Sequence, residues 1–251
     1  MFPNIKNKHS YDAFFEPKDF LNYLKKNNDF PKFKIPKAVM ICYDNDLFDL
    51  LIKKKKIVFT GYHNLYYTKE SKEIGIVGRF GVGAPSSVLV LDELIALGVK
   101  NFVSFGTCGT LQKHINIGDF VLCDKAIRDE GVSHHYLKPS KYAHASKKQF
   151  LKAKKIMDKL DLNYYTGTSW TIDAPYRETI EELKKYQKEK VLCVEMEASA
   201  LYAVAEYRKV DLVCIFTISD SLAELIWSPH FHIMEKYLLN LYDLSIKILK
   251  K

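Results

Sequence analysis

Short apolar runs that end on glycine, serine or aspartate alternate along this chain with stretches of helical periodicity, and this alternation constrains the fold most. Ala38 to Tyr43 is such a run, bounded by Pro36 and Asp44, and Ile57 to Gly61 is a second. Ile74 to Phe80 leads into Gly81-Val82-Gly83-Ala84-Pro85-Ser86, and Val99 to Phe105 leads into Gly106-Thr107-Cys108-Gly109. Phe120 to Cys123 and Tyr164 to Ser169 read as extended, and Leu212 to Ile218 closes on Ser219-Asp220. Between them, Pro17 to Lys26, Ser87 to Leu97, Ser146 to Leu160, Glu195 to Tyr207 and Met234 to Leu249 space their apolar residues for helices. Strands alternating with helices predict an α/β protein, a sheet covered by helices on both faces in three αβα layers. In such sheets ligands bind beyond the carboxyl ends of the strands, and each glycine or acidic signature lies at such an end.

With 251 residues, 47% of them hydrophobic, the chain has material for one sizeable core. The expected organisation is a single domain over 1–251: a proline-punctuated arm over 1–36 and a core over 37–251. The net charge of +8 is spread thinly, with Lys53-Lys54-Lys55-Lys56 the one dense run. No zinc-finger spacing, RNA-recognition signature or basic heptad helix accompanies it, so the lysines read as solvated and no nucleic-acid partner is expected. The five cysteines are odd in number, lack C-x-x-C spacing and sit mostly in apolar runs, as in a reducing compartment. No signal segment opens the chain and no run approaches the roughly 18–20 apolar residues of a membrane span. A cytoplasmic protein with no membrane partner is expected.

Several motifs carry chemistry. Glycines after a strand admit close backbone approach, and amides at a helix start attract anions. The run from Gly81 to Ser86 is neither a dinucleotide fingerprint nor a P-loop, because the third glycine and the Gly-Lys-Ser/Thr are missing. On its own it is equally a tight strand-to-helix turn. Gly106-Thr107-Cys108-Gly109 reads as a second glycine turn, with the Thr107 hydroxyl offered to an anion or a sugar. Nothing places a histidine beside Cys108 to make it a nucleophile. In Cys193-Val194-Glu195-Met196-Glu197-Ala198 two carboxylates flank a methionine where a helix should begin. The macrodipole accounts for one acid there; two around a thioether fit a pocket wall that takes ribose hydroxyls. Asp220 closes its strand as a turn residue or as a proton donor. His134-His135 and the His230/His232 pair match no zinc spacing, so no metal is expected.

Taken in order, Phe59-Thr60-Gly61-Tyr62, the two glycine runs, Gly118-Asp119, Val194-Glu195-Met196-Glu197-Ala198 and Ser219-Asp220 resemble the purine nucleoside and uridine phosphorylase superfamily over roughly residues 38–222. Arg128-Asp129-Glu130-Gly131 and Thr171 to Thr179 resemble a less characterised bacterial and archaeal branch of it. The resemblance implies a central mixed, twisted sheet and cleavage of a base–ribose bond through an oxocarbenium-like sugar. It places Glu197, Met196 and Glu195 on the ribose, and Gly83 and Thr107 on phosphate. It makes Asp220 the acid near N7 of the leaving base, with Ser219, Tyr176 and Trp170 on the base side. It implies inorganic phosphate as co-substrate, no cofactor, and a homo-oligomer. Ser219-Asp220 argues for a purine, because uridine-cleaving members carry another motif there.

The match breaks at the phosphate. The family's arginine before the Gly-Thr turn is Ser104 here, and Cys42 to Asp46 has neither the glycine nor the arginine of the N-terminal phosphate motif. Lys54, Arg79, Arg128 and Arg177 are the available replacements. A phosphate without positive partners is costly to bury, so either another residue supplies charge or water is the nucleophile. The water-activating glutamate of the nucleosidases has no evident counterpart; Asp44 and Asp46 are the nearest acids, and Glu16 lies far upstream. Phosphorolysis of a purine nucleoside is the leading expectation. Hydrolysis and binding without turnover are its alternatives.

Overall fold

The computed structural model describes residues 5–250, so Pro3 of the arm lies outside the described residues. The chain opens with α1 (Pro17–Lys26), β1 (Ala38–Cys42) and α2 (Asn45–Lys53), followed by β2 (Ile57–Phe59), β3 (Leu65–Thr68) and β4 (Ser71–Val77). Next come α3 (Ala84–Ala96), β5 (Asn101–Thr110), β6 (Phe120–Asp129), the single turn α4 (Ser133–Tyr136) and β7 (Tyr142–His144). The second half holds α5 (Lys147–Lys159), β8 (Tyr164–Ile172), α6 (Ile180–Lys188), β9 (Cys193–Glu195) and α7 (Ala198–Arg208). It ends with β10 (Asp211–Ser221), β11 (Ser228–Pro229) and α8 (Glu235–Leu249).

These strands form one mixed sheet. β1 lies parallel to β4 and β5, β5 parallel to β10, and β8 parallel to β6 and β9, whereas β6 runs antiparallel to β10 and β9 antiparallel to β5. Because β10 pairs with both β5 and β6, the strands β5, β10, β6, β8 and β9 close into a ring. β1 shows how the sheet is covered. Val39 and Ile41 pack with α1, α3 and α7, while Ala38, Met40 and Cys42 pack with α2, α5 and α8. Successive side chains of a strand point to opposite faces, so a strand buried at all five positions has a helical layer on each side. The expected αβα layering with a mixed sheet is what the structure has.

α7 is buried from Ala198 through Ala205. Its alanines let it sit between α3 and the strands β6 and β10 without an outward polar face. The arm joins the same packing: Leu21 of α1 belongs to the α3–α7 core, and Arg208 bonds both Asp92 of α3 (2.8 Å) and Glu16 (2.6 Å).

Two expected elements differ from the reading above. Gly106-Thr107-Cys108-Gly109 is not a turn, because β5 runs through it and pairs in register with β10 as far as Thr110. Its glycines serve close approach: a Cβ on Gly109 would lie 2.6 Å from the Leu222 side chain and 2.9 Å from the Asp220 carboxylate. The helix expected from Glu195 begins at Ala198, and Val194-Glu195 belongs to β9. Among the described residues, no helix is long and apolar enough to cross a membrane.

Candidate active site

A cavity of about 650 Å³ opens where the last residues of β5, β9 and β10 meet the connections that follow β8 and β10. Its inner wall comes from strands and their first following residues: Thr107, Cys108 and Gly109 of β5, Val194 to Glu197 around the end of β9, and Ser219 and Asp220 of β10. Tyr43 after β1 and Val82 after β4 complete that wall. Its outer wall comes from the connections after β8 (Pro175, Tyr176, Glu178) and after β10 (Leu222, Leu225, Ile226, Trp227, Phe231), with Leu183 of α6 between them. A larger hollow of about 880 Å³ lies between the arm and α3, α4 and α7; it holds His135 but none of the glycine-run or acidic motif residues.

The β9–α7 turn builds the acidic part. Glu195 is 6% exposed and saturated. One carboxylate oxygen accepts the Ser169 and Thr171 hydroxyls (3.0 and 2.5 Å), and the other accepts the Glu197 and Ala198 amides (2.8 and 2.7 Å). Those amides are orphan donors at the start of α7, so Glu195 caps the helix and fixes the turn. This differs from the ribose contact expected of it, because its acceptor positions are spent inside the protein. Glu197 instead faces the cavity, and one of its oxygens accepts the Gly83 amide at 2.5 Å. Burial and the neighbouring Glu195 charge push the Glu197 carboxyl up to about 8, against the Gly83 amide, which favours the charged form. Met196 lies beside it on the same wall.

Asp220 is aimed by an irregularity in β10. The register with β5 slips between Ile218 and Asp220, leaving Ser219 as the extra residue and seating Asp220 opposite Gly109. A bulge of this kind turns a side chain out of the ladder. Asp220 is 9% exposed. Its Oδ1 accepts the Ser219 hydroxyl at 2.7 Å and its Oδ2 accepts the Trp227 indole N–H at 2.9 Å.

Of the two residues expected on phosphate, Thr107 lines the cavity and Gly83 is not on its wall. Gly83, at φ +96° and ψ 160°, precedes α3, but its amide is engaged by Glu197. Ser104 is buried and hydrogen-bonds the Tyr43 hydroxyl at 2.9 Å. None of the expected replacement cations reaches the site. Arg79 pairs with Asp49, and Arg128 is spent on Ser133, Ser140 and the Leu137 and Lys138 carbonyls. Lys54 and Arg177 are exposed and off the cavity wall. Among the described residues, no lysine, arginine or histidine lines the cavity. Asp44 caps α2 through the Leu47 amide (2.6 Å), and neither it, Asp46 nor Glu16 is on the wall.

The base side needs one correction. Trp170 is fully buried under α6, tilted on Tyr186, and its indole donates to Asp129 at 2.9 Å; it does not line the cavity. Its place on β8 is closed on both faces, as every residue from Ser169 to Ile172 is buried. Tyr176, fully exposed, and Ser219 do line the cavity. The reading of the sequence passed over Trp227, Phe231 and Glu178. Trp227 lies three residues before His230 in the sequence, and its proximity to Asp220 needs the return of the chain through β11. Cys108 lines the wall too, but burial pushes its thiol up, so it is no thiolate nucleophile.

The family model for the "Phosphorylase superfamily" matches residues 41–237, most of the chain and all of the cavity wall. The chain belongs to this superfamily. Among its superfamily relatives is the purine nucleoside phosphorylase DeoD-type of Caldanaerobacter subterraneus subsp. tengcongensis, 35% identical over 168 residues, covering 65% of this chain and 68% of that protein. The protein of the same name from Bacillus cytotoxicus is 31% identical over 183 residues, covering 72% of each. Solved superfamily structures share the fold. A uridine phosphorylase from Vibrio fischeri ES114 matches at a TM-score of 0.70 and 23% identity, over 86% of this chain and 91% of its own. A Plasmodium knowlesi homologue of the P. falciparum PNP matches at 0.70 and 22% identity, over 86% and 90%.

Proposed function

We propose that this protein is a pentosyltransferase that cleaves the N-glycosidic bond of a purine nucleoside, passing the pentose to inorganic phosphate. The observation that carries this reading is the convergence of Glu197 with Met196, and of Asp220, on one cavity from two different strand ends. Glu197 takes ribose hydroxyls, with the Met196 thioether against the sugar. As the C1′–N9 bond breaks, its electron pair goes to the base, and the Asp220 carboxyl delivers a proton to N7 as general acid. A phosphate oxygen then bonds to C1′, so nucleoside and phosphate give free purine and pentose 1-phosphate. Ser219 and Trp227 hold the Asp220 carboxylate left behind. The names of the DeoD-type relatives and the Ser219-Asp220 pair support a purine.

The cavity's lack of a basic wall residue favours a second reading in which water replaces phosphate. Under the first reading the phosphate charge is met by a neighbouring copy of the chain in a homo-oligomer. Base release from a panel of nucleosides, with and without phosphate, decides between the two. Phosphate-dependent release of a purine supports phosphorolysis, and equal release without phosphate makes the protein a nucleosidase. Asp220→Asn is expected to slow turnover by on the order of 10²–10⁴-fold; an unchanged rate removes Asp220 from the chemistry.

A further inference from the structure

The inner wall of the cavity carries a phenol that the reaction proposed above leaves unused. Tyr43 follows β1, and β5 lies between β1 and β10 in the sheet. On one side of β5 the Tyr43 ring lies against Gly106, where a Cβ would come within 3.1 Å of it. On the other side Asp220 stands opposite Gly109, and Thr107 lines the wall between the two. The Glu197 carboxylate is near enough to the phenol for its charge to act on it. The Tyr43 hydroxyl lies 2.9 Å from that of Ser104, which is buried. The Ser87 hydroxyl is close as well, and gives its own proton to the Gly83 carbonyl at 2.8 Å. The phenol is thus held by neutral hydroxyls at its tip and by the edge contact of its ring with Phe80.

A nucleophile that displaces a base from C1′ enters on the face of the sugar opposite that base. With the base at Asp220 and the ribose at Glu197, the entering oxygen arrives from the side away from Asp220, across β5, where Tyr43 stands. We infer that Tyr43 is a specificity-determining residue for the acceptor: its phenol O–H donates to an oxygen of inorganic phosphate and orients that anion toward C1′, with the Thr107 hydroxyl beside it. The inference rests on the phosphorolysis reading above. A tyrosine hydroxyl has one proton and two lone pairs, so once Ser104 donates to it that proton is free for the ligand. Burial and the Glu197 charge push the phenol well above its ordinary range, which keeps it protonated and a donor. A hydrogen bond to a charged oxygen is the stronger kind, so a neutral phenol gives a directional grip on phosphate where the wall offers no cation.

The test is binding of inorganic phosphate to the intact protein at pH 7, measured by calorimetry for wild type and Tyr43→Phe. At this pH Glu197 is mostly protonated and repels an anion little. Phenylalanine keeps the ring against Gly106 and Phe80 and removes the hydroxyl alone. The variant is expected to bind phosphate roughly 10–100-fold more weakly, the scale of one hydrogen bond to a charged group. In base-release assays its KM for phosphate should rise by the same factor while the KM for the nucleoside stays where it is; a merely structural change would move both. Equal phosphate affinity in wild type and variant, no phosphate binding by wild type, or a parallel rise in both KM values overturns the inference. Phosphate-dependent release of a purine beside any of these results leaves the proposed reaction standing without this role for Tyr43. The reverse pattern, weakened phosphate binding in the variant with no release from any nucleoside, removes the reaction and keeps the phosphate contact.

Discussion

Glu197 shows how a single residue on the cavity wall can be costly to the fold. Its carboxyl, ordinarily near 4.5, is held at about 8 in the folded protein. Between those pH values the folded state keeps a proton that the unfolded chain has released. Stability therefore falls as pH rises through this window, and the loss is complete above about pH 8. Glu197→Gln does not titrate and keeps an oxygen for the Gly83 amide. Its Tm is expected to exceed that of wild type at pH 8, by an amount on the order of a few kcal/mol of stability, and the gap should close toward pH 5. Thermal melts across that range check it, and a gap that widens toward acid contradicts the assignment. Sequence motifs brought Glu197, Met196 and Asp220 into view as candidates: the first two follow β9 directly, and Asp220 stands near the end of β10 at its bulge. The two tryptophans were not legible in the same way. Trp170 and Trp227 are the same side chain to a sequence reader, and only the double burial of β8 and the return of β11 separate a core residue from a pocket one.

Element boundaries carried most of the remaining error, and each miss has a physical cause. Helix α6 was passed over although Thr179 and Glu182 spell its capping box, because its lysines dilute the apolar periodicity. The run from Gly106 to Gly109 looked like a turn because glycine usually punctuates, yet here it keeps a strand going, and at Gly109 the Leu222 side chain leaves no room for a Cβ. Gly109→Ala is expected to destabilise by about 1–3 kcal/mol through overpacking against Leu222. It should also displace the Asp220 carboxylate. Turnover at a temperature well below the variant's Tm should then fall although the protein is folded; full activity there would mean that Asp220 tolerates the shift.

The whole molecule is held as layers by side chains on both faces of its strands, and the alternation of apolar runs with helical stretches along the chain made that legible before any coordinates. The ring closed by β5, β10, β6, β8 and β9 was not legible, since it depends on β10 pairing with two partners. Nor did periodicity reveal how the arm is fastened. Arg208 at the end of α7 ties Glu16 to Asp92, whose side chain is 9% exposed. Arg208→Ala leaves that buried acid without its cation, which should cost roughly 1–3 kcal/mol. Limited proteolysis is expected to cut the variant sooner than wild type between residues 5 and 36; an unchanged pattern would mean that Leu21 and its neighbours suffice.

One asymmetry of the cavity has a consequence for descent and for engineering. The wall that carries Asp220, and the strand that leads into Glu197, are hydrogen-bonded sheet, where an insertion would break register. The facing wall is made of connections, which tolerate changes in length and composition far better. Changes in the connections 173–179 and 222–231 can therefore remodel the outer wall of the cavity while the sheet-borne inner wall stays as it is.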